Sequence, residues 1–165
     1  MRRALVITVS DRAAAGERAD TSGPAAVESL LETGFQVGDP IVVGDDEDDI
    51  VEALRTGIDD GYSLIVTTGG TGLSPRDVTP EATRTVIESE VPGLGELMRA
   101  EGRAKTPTAV LSRAIAGTAG TTLIVNLPGS PAGVAESLDA LSEILGHALD
   151  VLAGEEAHGG RAHES

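Results

Sequence analysis

The sequence predicts an α/β fold with three layers, in which helices cover both faces of a doubly wound, mostly parallel sheet with an antiparallel edge pair. Short apolar runs rich in β-branched residues alternate with helical segments along most of the chain. These runs are nearly continuous in their apolar character, as expected of strands that are buried on both faces. Late in the chain, two extended segments follow one another across a glycine-containing turn, which predicts the antiparallel pair.

The first strand and helix come from residues 4–9 and 21–34. Residues 4–9 are apolar and β-rich, and because Ser10 and Asp11 end the run without a cleavage-like stretch, a strand is favoured over a signal peptide. Thr21 and Pro24 have the residue types of a helix start, with a hydroxyl cap and an early proline.

The next elements complete a strand-helix-strand unit. Residues 41–43 are predicted to be the second strand, and residues 63–67 the third. Between them, residues 46–58 carry apolar side chains at three- and four-residue spacing, which is typical of a helix with one buried face.

The second half begins with two predicted helices. One begins at Thr79-Pro80, with the Thr79 hydroxyl as its cap, and is expected to reach about Glu90. The other covers residues 92–104.

Two extended segments and a long helix follow. The extended segments are predicted at residues 108–115 and 121–127, with a turn at residues 117–120. Ser130-Pro131 then opens a long amphipathic helix that reaches about residue 152.

Length and cysteine content indicate one domain held by packing alone. The 165 residues suit a single domain over residues 1–153, followed by a polar tail, residues 154–165, that is expected to be disordered. The chain has no cysteine, which excludes disulfides and thiolate metal sites and agrees with a cytoplasmic location. No run of about 18 apolar residues occurs, so no membrane span is predicted.

The net charge of −15 argues against a nucleic-acid partner, because most of the surface would repel a phosphate backbone. A small phosphorylated ligand remains compatible with this charge if local donors and a divalent cation hold it. Lys105 is the only lysine, and acids cluster at residues 45–49. Either a GC-rich genome or adaptation to a salt-rich cytoplasm explains this composition.

Residues 67–80, here called the glycine loop, have the composition of an anion cradle between a strand and a helix. Three glycines allow positive φ and close approach of a ligand, while hydroxyls and exposed amides can donate to phosphate oxygens. The loop matches neither a Walker A motif nor a dinucleotide fingerprint, and a purely geometric connection remains an alternative. The residues predicted to bind phosphate or nucleotide are Thr68, Gly69, Gly70, Thr71, Gly72, Arg76 and Thr79.

Residues 126–131, here called the proline loop, also connect the end of a strand to a capped helix. An ordinary turn with a serine cap is the alternative. Asp46 follows the second strand and Asp77 the third, so the two carboxylates are predicted to hold Mg²⁺ across a phosphate site. The alternative for Asp46 is a solvated acidic first turn that favours its own helix end.

The three histidines predict no metal site. His147 lies on the last helix, where a structural or solvent-facing role is expected. His158 and His163 lie in the tail, and their spacing does not suggest a closed site.

Five motifs in order resemble the molybdenum-cofactor biosynthesis proteins of the MogA/MoaB type, over about residues 4–152. They are TTGGTG from Thr67, RDVTPE from Arg76, PGLGE from Pro92, LSR from Leu111 and NLPGSP from Asn126. The resemblance implies the molybdenum cofactor biosynthesis fold, commonly as a homotrimer. It also implies Mg²⁺-dependent transfer of AMP from ATP to the phosphate of molybdopterin, with release of pyrophosphate.

The resemblance also assigns residues. It makes Asp46 and Asp77 the catalytic and metal-binding pair. Residues on the molybdopterin side or its rim are expected to be Ser10, Asp11, Ser112, Arg113, Asn126, Pro128, Gly129 and Ser130. One departure is Asp45, where many relatives have proline, and this leaves the identity of the ligand among residues 45–47 open.

Two other functions remain as alternatives. A MoaB-type protein of the same pathway would bind molybdopterin or a nucleotide without turnover, and a pyrophosphatase-like activity related to competence/damage proteins is a weaker option. A molybdenum-insertion protein of the pathway is the candidate protein partner.

Overall fold

The computed structural model describes residues 1–155, which contain a seven-stranded sheet and six α-helices. The strands are β1 (Arg3–Val9), β2 (Gln36–Val37), β3 (Ile41–Val43), β4 (Leu64–Thr68), β5 (Ser89–Glu90), β6 (Ala116–Ala119) and β7 (Thr122–Leu127). The helices are α1 (Asp11–Ala14), α2 (Ser22–Glu32), α3 (Glu47–Asp59), α4 (Thr79–Val86), α5 (Pro92–Arg103) and α6 (Pro131–Leu152), with a 3₁₀ helix at Pro107–Leu111.

Parallel pairing of β1, β4 and β7 forms the centre of the sheet. The strand order is β2-β1-β4-β7-β6-β5, and β3 also pairs with β1. β2 and β3 lie end to end along β1, with Arg3 opposite Gln36 and Ile7 opposite Ile41, so they form one interrupted edge. β6 is antiparallel to β7, and β5 is antiparallel to β6. The predicted mostly parallel sheet with an antiparallel edge is therefore confirmed.

Each central strand buries side chains on both faces of the sheet. In β1, Ala4 and Val6 belong to the apolar layer that includes α2, α5 and α6. Leu5 and Ile7 belong to the opposite layer, with α3 and α4. This arrangement accounts for the continuous apolar runs, because neither face of these strands meets water.

The serine cap at Ser130 forms as expected, and Asp46, predicted as the first residue of its helix, is a cap as well. Asp46 Oδ1 accepts a hydrogen bond from the Asp49 amide at 3.0 Å, and Ser130 Oγ accepts one from the Gly133 amide at 3.0 Å. The predicted cap at Thr21 is wrong, because its side chain makes no capping bond. Asp20 Oδ1 accepts from the Gly23 amide instead, at 3.0 Å.

The region between α4 and β7 differs most from the prediction. α4 ends at Val86 rather than near Glu90, and residues 89–90 form the short strand β5. Residues 107–111 form a 3₁₀ helix, so the extended segment predicted at 108–115 is wrong there. Pro107 at its start fixes a helical φ, which favours the tight turn over a strand.

The predicted turn at residues 117–120 is also corrected. Gly117 lies inside β6, opposite Glu90, and only Gly120 has a positive φ, of 59°. A Cβ atom at Gly117 would lie 2.7 Å from the Ser89 carbonyl oxygen. The glycine is therefore needed for close packing against β5 rather than for a turn.

The short elements β2 and α1 were not predicted.

The remaining predictions concern the helices and the tail. His147 is exposed on α6. His158, His163 and most of the predicted tail, residues 156–165, lie outside the described residues. Within residues 1–155, no helix combines the length and the apolar character needed to cross a membrane.

Leu141→Ala tests the packing of α6 on the sheet. Leu141 is fully buried, and truncation of such a leucine costs about 2–5 kcal/mol because it leaves a cavity. We expect a loss of this size in the free energy of unfolding, measured with urea. Ile144→Ala, on the same helix at a position that is 37% exposed, is the control and should lose much less.

Candidate functional site

Gly69 lies where the carboxyl ends of three parallel strands meet. Its amide donates to the Leu127 carbonyl of β7 at 3.2 Å, and its φ is 90°. A Cβ atom at this position would lie 2.5 Å from the carbonyl oxygen of Val9 at the end of β1. Only glycine fits this conformation and this approach, so the glycine loop begins at a fixed point.

Thr79 closes the base of the glycine loop. Its amide donates to the Gly70 carbonyl at 3.1 Å, and its hydroxyl donates to the Gly69 carbonyl at 3.0 Å. The structure thus corrects the predicted cap, because Thr79 is the first residue of α4 and its fully buried hydroxyl holds the loop. Residues 71–78 project beyond this closure.

Asp77 is half-buried within the glycine loop. Its Oδ2 accepts a hydrogen bond from the Ser74 amide at 3.0 Å. A Cβ atom at Gly72 would lie 2.8 Å from the same oxygen, so glycine at this position leaves room for the carboxylate. Asp77 Oδ1 makes no hydrogen bond within residues 1–155, which leaves it able to bind a cation.

Arg113 holds the far side of the glycine loop. Its Nε donates to the Gly72 carbonyl at 2.8 Å and its Nη2 to the Asp77 carbonyl at 2.7 Å. Its Nη1 donates to Glu81 Oε2 at 2.6 Å. The Arg113 hydrogen bond holds the pKa of Glu81 below its usual value. The guanidinium predicted for the molybdopterin side is therefore engaged with the loop and with α4.

Asp11, Asp45 and Arg76 join the loop to the ends of β1 and β3. The Asp45 amide donates to Asp11 Oδ1 at 2.7 Å, and the Asp11 amide donates to Asp45 Oδ2 at 3.1 Å. The Arg76 guanidinium pairs with Asp11 Oδ2. Burial raises the pKa of Asp45, and the negative charge of Asp77 raises it further.

Asp45 is therefore within electrostatic range of Asp77, whereas Asp46 was predicted to be the partner of Asp77. Asp46 is exposed and caps α3 through Oδ1. Within the described residues, no three His, Cys, Asp or Glu side chains cluster closely enough to form a complete metal site. Mg²⁺ commonly uses only one or two carboxylates together with substrate phosphates, so these residues fit a magnesium ion that arrives with a nucleotide.

The proline loop lies directly against the glycine loop. A Cβ atom at Gly129 would lie 3.4 Å from the Cα of Gly69. Pro128 is half-buried, while Gly129 and Ser130 are exposed. Asn126 is fully buried. Its Nδ2 donates to the hydroxyls of Thr67 and Thr83, each at 3.0 Å, and its Oδ1 accepts from the Ile115 amide at 3.2 Å.

Two more predicted residues have internal partners. The Thr68 hydroxyl is buried and lies 2.9 Å from that of Ser22. Ser10 Oγ accepts from the Ala13 amide at 3.2 Å and caps the short helix α1. Ligand contacts for Ser10, Thr68, Thr79, Arg113 and Asn126 stay predictions, and each of these side chains already makes a hydrogen bond within the protein.

A cavity of about 350 Å³, here called the slot, opens beside the glycine loop between α5, α6 and the 3₁₀ helix. Of the predicted residues, it is lined by Thr71, Gly72, Ser112, Pro128 and Ser130. Three polar residues that α5 and α6 contribute to its wall were not predicted from the sequence, namely Arg99, Glu136 and Ser137. The sequence contained a signal for them, because residues at i, i+3 and i+4 share a helix face. Arg99 follows Gly95 by four residues, and Glu136 and Ser137 follow Gly133 by three and four.

Glu81→Gln tests the contact between Glu81 and Arg113 through the pH dependence of stability. Because the pKa of Glu81 is lowered on folding, the carboxylate stabilises the protein above its unfolded pKa, and this contribution is lost as pH falls through the folded pKa. The pair is partly exposed, so we expect a deficit below about 1 kcal/mol at pH 7 that disappears in acid.

Urea unfolding at several pH values measures this difference. Glu101→Gln, at an exposed position on α5, is the control and should follow the wild-type profile. A deficit for Glu81→Gln that is the same at pH 7 and in acid would contradict the assignment.

Comparisons with known proteins agree with this architecture. The molybdopterin adenylyltransferase of Helicobacter pylori J99 is 42% identical, and the match covers 90% of this chain and 86% of that protein. The Drosophila melanogaster molybdenum cofactor synthesis protein cinnamon is also 42% identical over 89% of the chain, which spans only 25% of that longer protein. The crystal structure of the molybdopterin biosynthesis enzyme MoaB of Thermus thermophilus is 51% identical. It superposes with a TM-score of 0.88 over 93% of this chain and 98% of that one.

A protein family described as a probable molybdopterin binding domain matches residues 5–147. This match covers most of the chain and includes the glycine loop, the proline loop and the slot. The chain therefore belongs to this family of molybdopterin-binding domains, in which MogA- and MoaB-type proteins are its structural relatives.

Proposed function

We propose that the chain is a molybdopterin adenylyltransferase of molybdenum cofactor biosynthesis, with ATP and molybdopterin as substrates. The observation that carries this proposal is that the glycine loop, Asp77 and the slot lie together at the carboxyl ends of the central strands. The name and high coverage of the Helicobacter relative support it.

In the proposed reaction, a phosphate oxygen of molybdopterin attacks the α-phosphorus of ATP. A new P–O bond forms, the bond to the β-phosphate breaks, and pyrophosphate leaves. Catalysis of such transfers consists mainly of positioning the phosphates and stabilising their charge.

The glycine loop is proposed to bind the phosphates through main-chain amides. Gly69 and Gly70 both have positive φ, and the loop leads into the amino end of α4. The partial positive charge of that helix end attracts anions. The bonds from Thr79 and Arg113 fix the carbonyls of Gly69, Gly70 and Gly72, which keeps the loop rigid before a ligand binds.

The acidic residues near the loop create a need for a cation. Arg76 is paired with Asp11 and Arg113 with Glu81, so neither guanidinium is a free positive charge. Asp45 and Asp77 interact unfavourably as like charges. Mg²⁺ bound there would offset the charge that develops on the phosphates during transfer. Asp77 Oδ1 and the carboxylates of Asp45 and Asp46 are the proposed ligands.

The slot is proposed to take the organic part of molybdopterin. It begins at Thr71 and Gly72, next to the proposed phosphate site, and its volume is that of a small-molecule pocket. Ser112 and Ser130 at its rim can donate hydrogen bonds to an oxygen-rich ligand.

A homotrimer, a cytoplasmic location and docking of a molybdenum-insertion protein complete the proposal. Exposed apolar side chains support association of copies: Leu73 is 66% exposed and Val110 is 51% exposed. Sedimentation equilibrium tests this point, and a monomer at micromolar concentration would contradict it.

Asp77→Asn tests the proposed site. The amide keeps the size and the acceptor for the Ser74 amide but removes the charge, so the fold should persist while adenylyl transfer falls by about 10²–10³-fold. The assay measures adenylylated molybdopterin formed from molybdopterin, ATP and Mg²⁺. Asp48→Asn, in the exposed first turn of α3, is the control, and near-normal turnover by Asp77→Asn would contradict the proposal.

A non-catalytic MoaB-type binding protein is the second candidate. The observation that favours it is the use of Asp46 Oδ1 as a helix cap, which leaves that carboxylate with one free oxygen. Under this alternative the same assay would give binding of molybdopterin without adenylylated product.

A further inference from the structure

Two hydroxyls in the slot lack protein partners. Thr71 and Ser137 are only 7% and 6% exposed, both line the slot, and neither hydroxyl makes a hydrogen bond within residues 1–155. The other buried polar side chains of the described chain all have hydrogen-bond partners. Neither hydroxyl oxygen is fully buried, so both are reachable from the slot and can form hydrogen bonds with a ligand bound there.

The slot also contains one fixed cation and one available carboxylate. Arg99 Nη1 on α5 donates to the carbonyls of Ala114 at 2.8 Å and Ser112 at 3.3 Å, which fixes its guanidinium in the wall. Glu136, on α6 next to Ser137, makes no hydrogen bond within the described chain. Its one ionic contact there is with the exposed Lys105, at 4.0 Å. The Glu136 carboxylate is therefore free to accept hydrogen bonds from a ligand.

We propose that Glu136 is the specificity-determining residue that recognises the pterin ring, an inference that rests on the proposed function. The aminopyrimidinone edge of a pterin presents a ring N–H beside an amino group, which are two adjacent donors. An ionised carboxylate has two acceptor oxygens and no donor, so it matches that edge with both oxygens. Adenine presents an amino group beside an acceptor nitrogen, which would oppose the second oxygen. The slot therefore suits the pterin rather than the nucleotide base.

Ser137 and Arg99 complete the recognition. The Ser137 hydroxyl can donate to a ring nitrogen or accept from the amino group, and the remaining Arg99 N–H groups can donate to the ring carbonyl. The ring would lie at one end of the slot with its side chain directed to Thr71 and the glycine loop.

The test compares 6-hydroxymethylpterin with 6-hydroxymethyllumazine, in which a carbonyl replaces the amino group. Dissociation constants are measured from the fluorescence of the ligands, and the absence of tryptophan gives a low protein background. We expect the wild-type chain to bind the pterin about tenfold or more tightly than the lumazine, because the lumazine carbonyl opposes a carboxylate oxygen.

Glu136→Gln should lose this preference, because its amide has one acceptor oxygen and places a donor against a donor. The affinity for ATP should not change, which separates recognition from a general loss of folding. Glu143→Gln, on an exposed part of the same helix, should keep the preference. Ser137→Ala is the second variant, and it should weaken pterin binding with no change in affinity for ATP.

Equal or undetectable binding of the two ligands by the wild-type chain would overturn the inference, as would an unchanged preference in Glu136→Gln. Adenylylation of molybdopterin by the wild-type chain is measured in parallel. If product forms and either of those results is obtained, only the role of Glu136 is rejected and the adenylyltransferase stands. Ring selectivity without adenylylated product rejects the adenylyltransferase and leaves pterin recognition intact.

Discussion

The close approach of Gly69 to the ends of β1 and β7 is the constraint on which the site depends. The backbone of this residue lies between the ends of the two strands that flank β4, with a Cβ position only 2.5 Å from the Val9 carbonyl oxygen. The proline loop lies against the same glycine, so one atom-sized gap fixes the relative positions of both loops. The Thr79 and Arg113 bonds then hold the glycine loop through its carbonyl oxygens. Within residues 1–155, the loop amides of residues 70–73 donate no hydrogen bond, whereas those of Gly69, Ser74, Arg76, Asp77 and Thr79 do.

Electrostatics at the site follow from this rigid backbone. The guanidinium groups of Arg76 and Arg113 are taken up by Asp11 and Glu81, and Asp45 and Asp77 remain near one another as like charges. An anion without a cation would therefore be repelled by these carboxylates as well as attracted by the loop amides. A divalent cation bound to the phosphate relieves the repulsion between Asp45 and Asp77 as well as the repulsion of the phosphate. The reason is that the carboxylates that repel the phosphate attract the cation. A strongly acidic protein can in this way hold an even more strongly charged nucleotide.

Local patterns were sufficient to predict most of the fold. β1, β4 and α6 were predicted because a buried strand leaves a continuous apolar run and a one-sided helix leaves a clear periodicity. The cap at Ser130 was predictable because it depends on nearest neighbours alone. The 3₁₀ helix, β5 and the role of Gly117 were missed because each depends on contacts between segments distant in sequence. The same reason applies to the site. Glycines and carboxylates were identifiable as residue types, but the proximity of Asp45 to Asp77 and the slot wall at Arg99 and Glu136 appear only when helices pack.

Both edges of the sheet are short or broken. One edge consists of the two-residue strand β5, and the other is divided between β2 and β3 around Gly38 and Pro40. Neither presents a long row of free amides and carbonyls on which a strand of another molecule could add, so the fold is protected against edge-to-edge aggregation. It follows that copies of this chain would have to associate through helices and loops, near the surfaces that surround the site, rather than through a continuous intermolecular sheet.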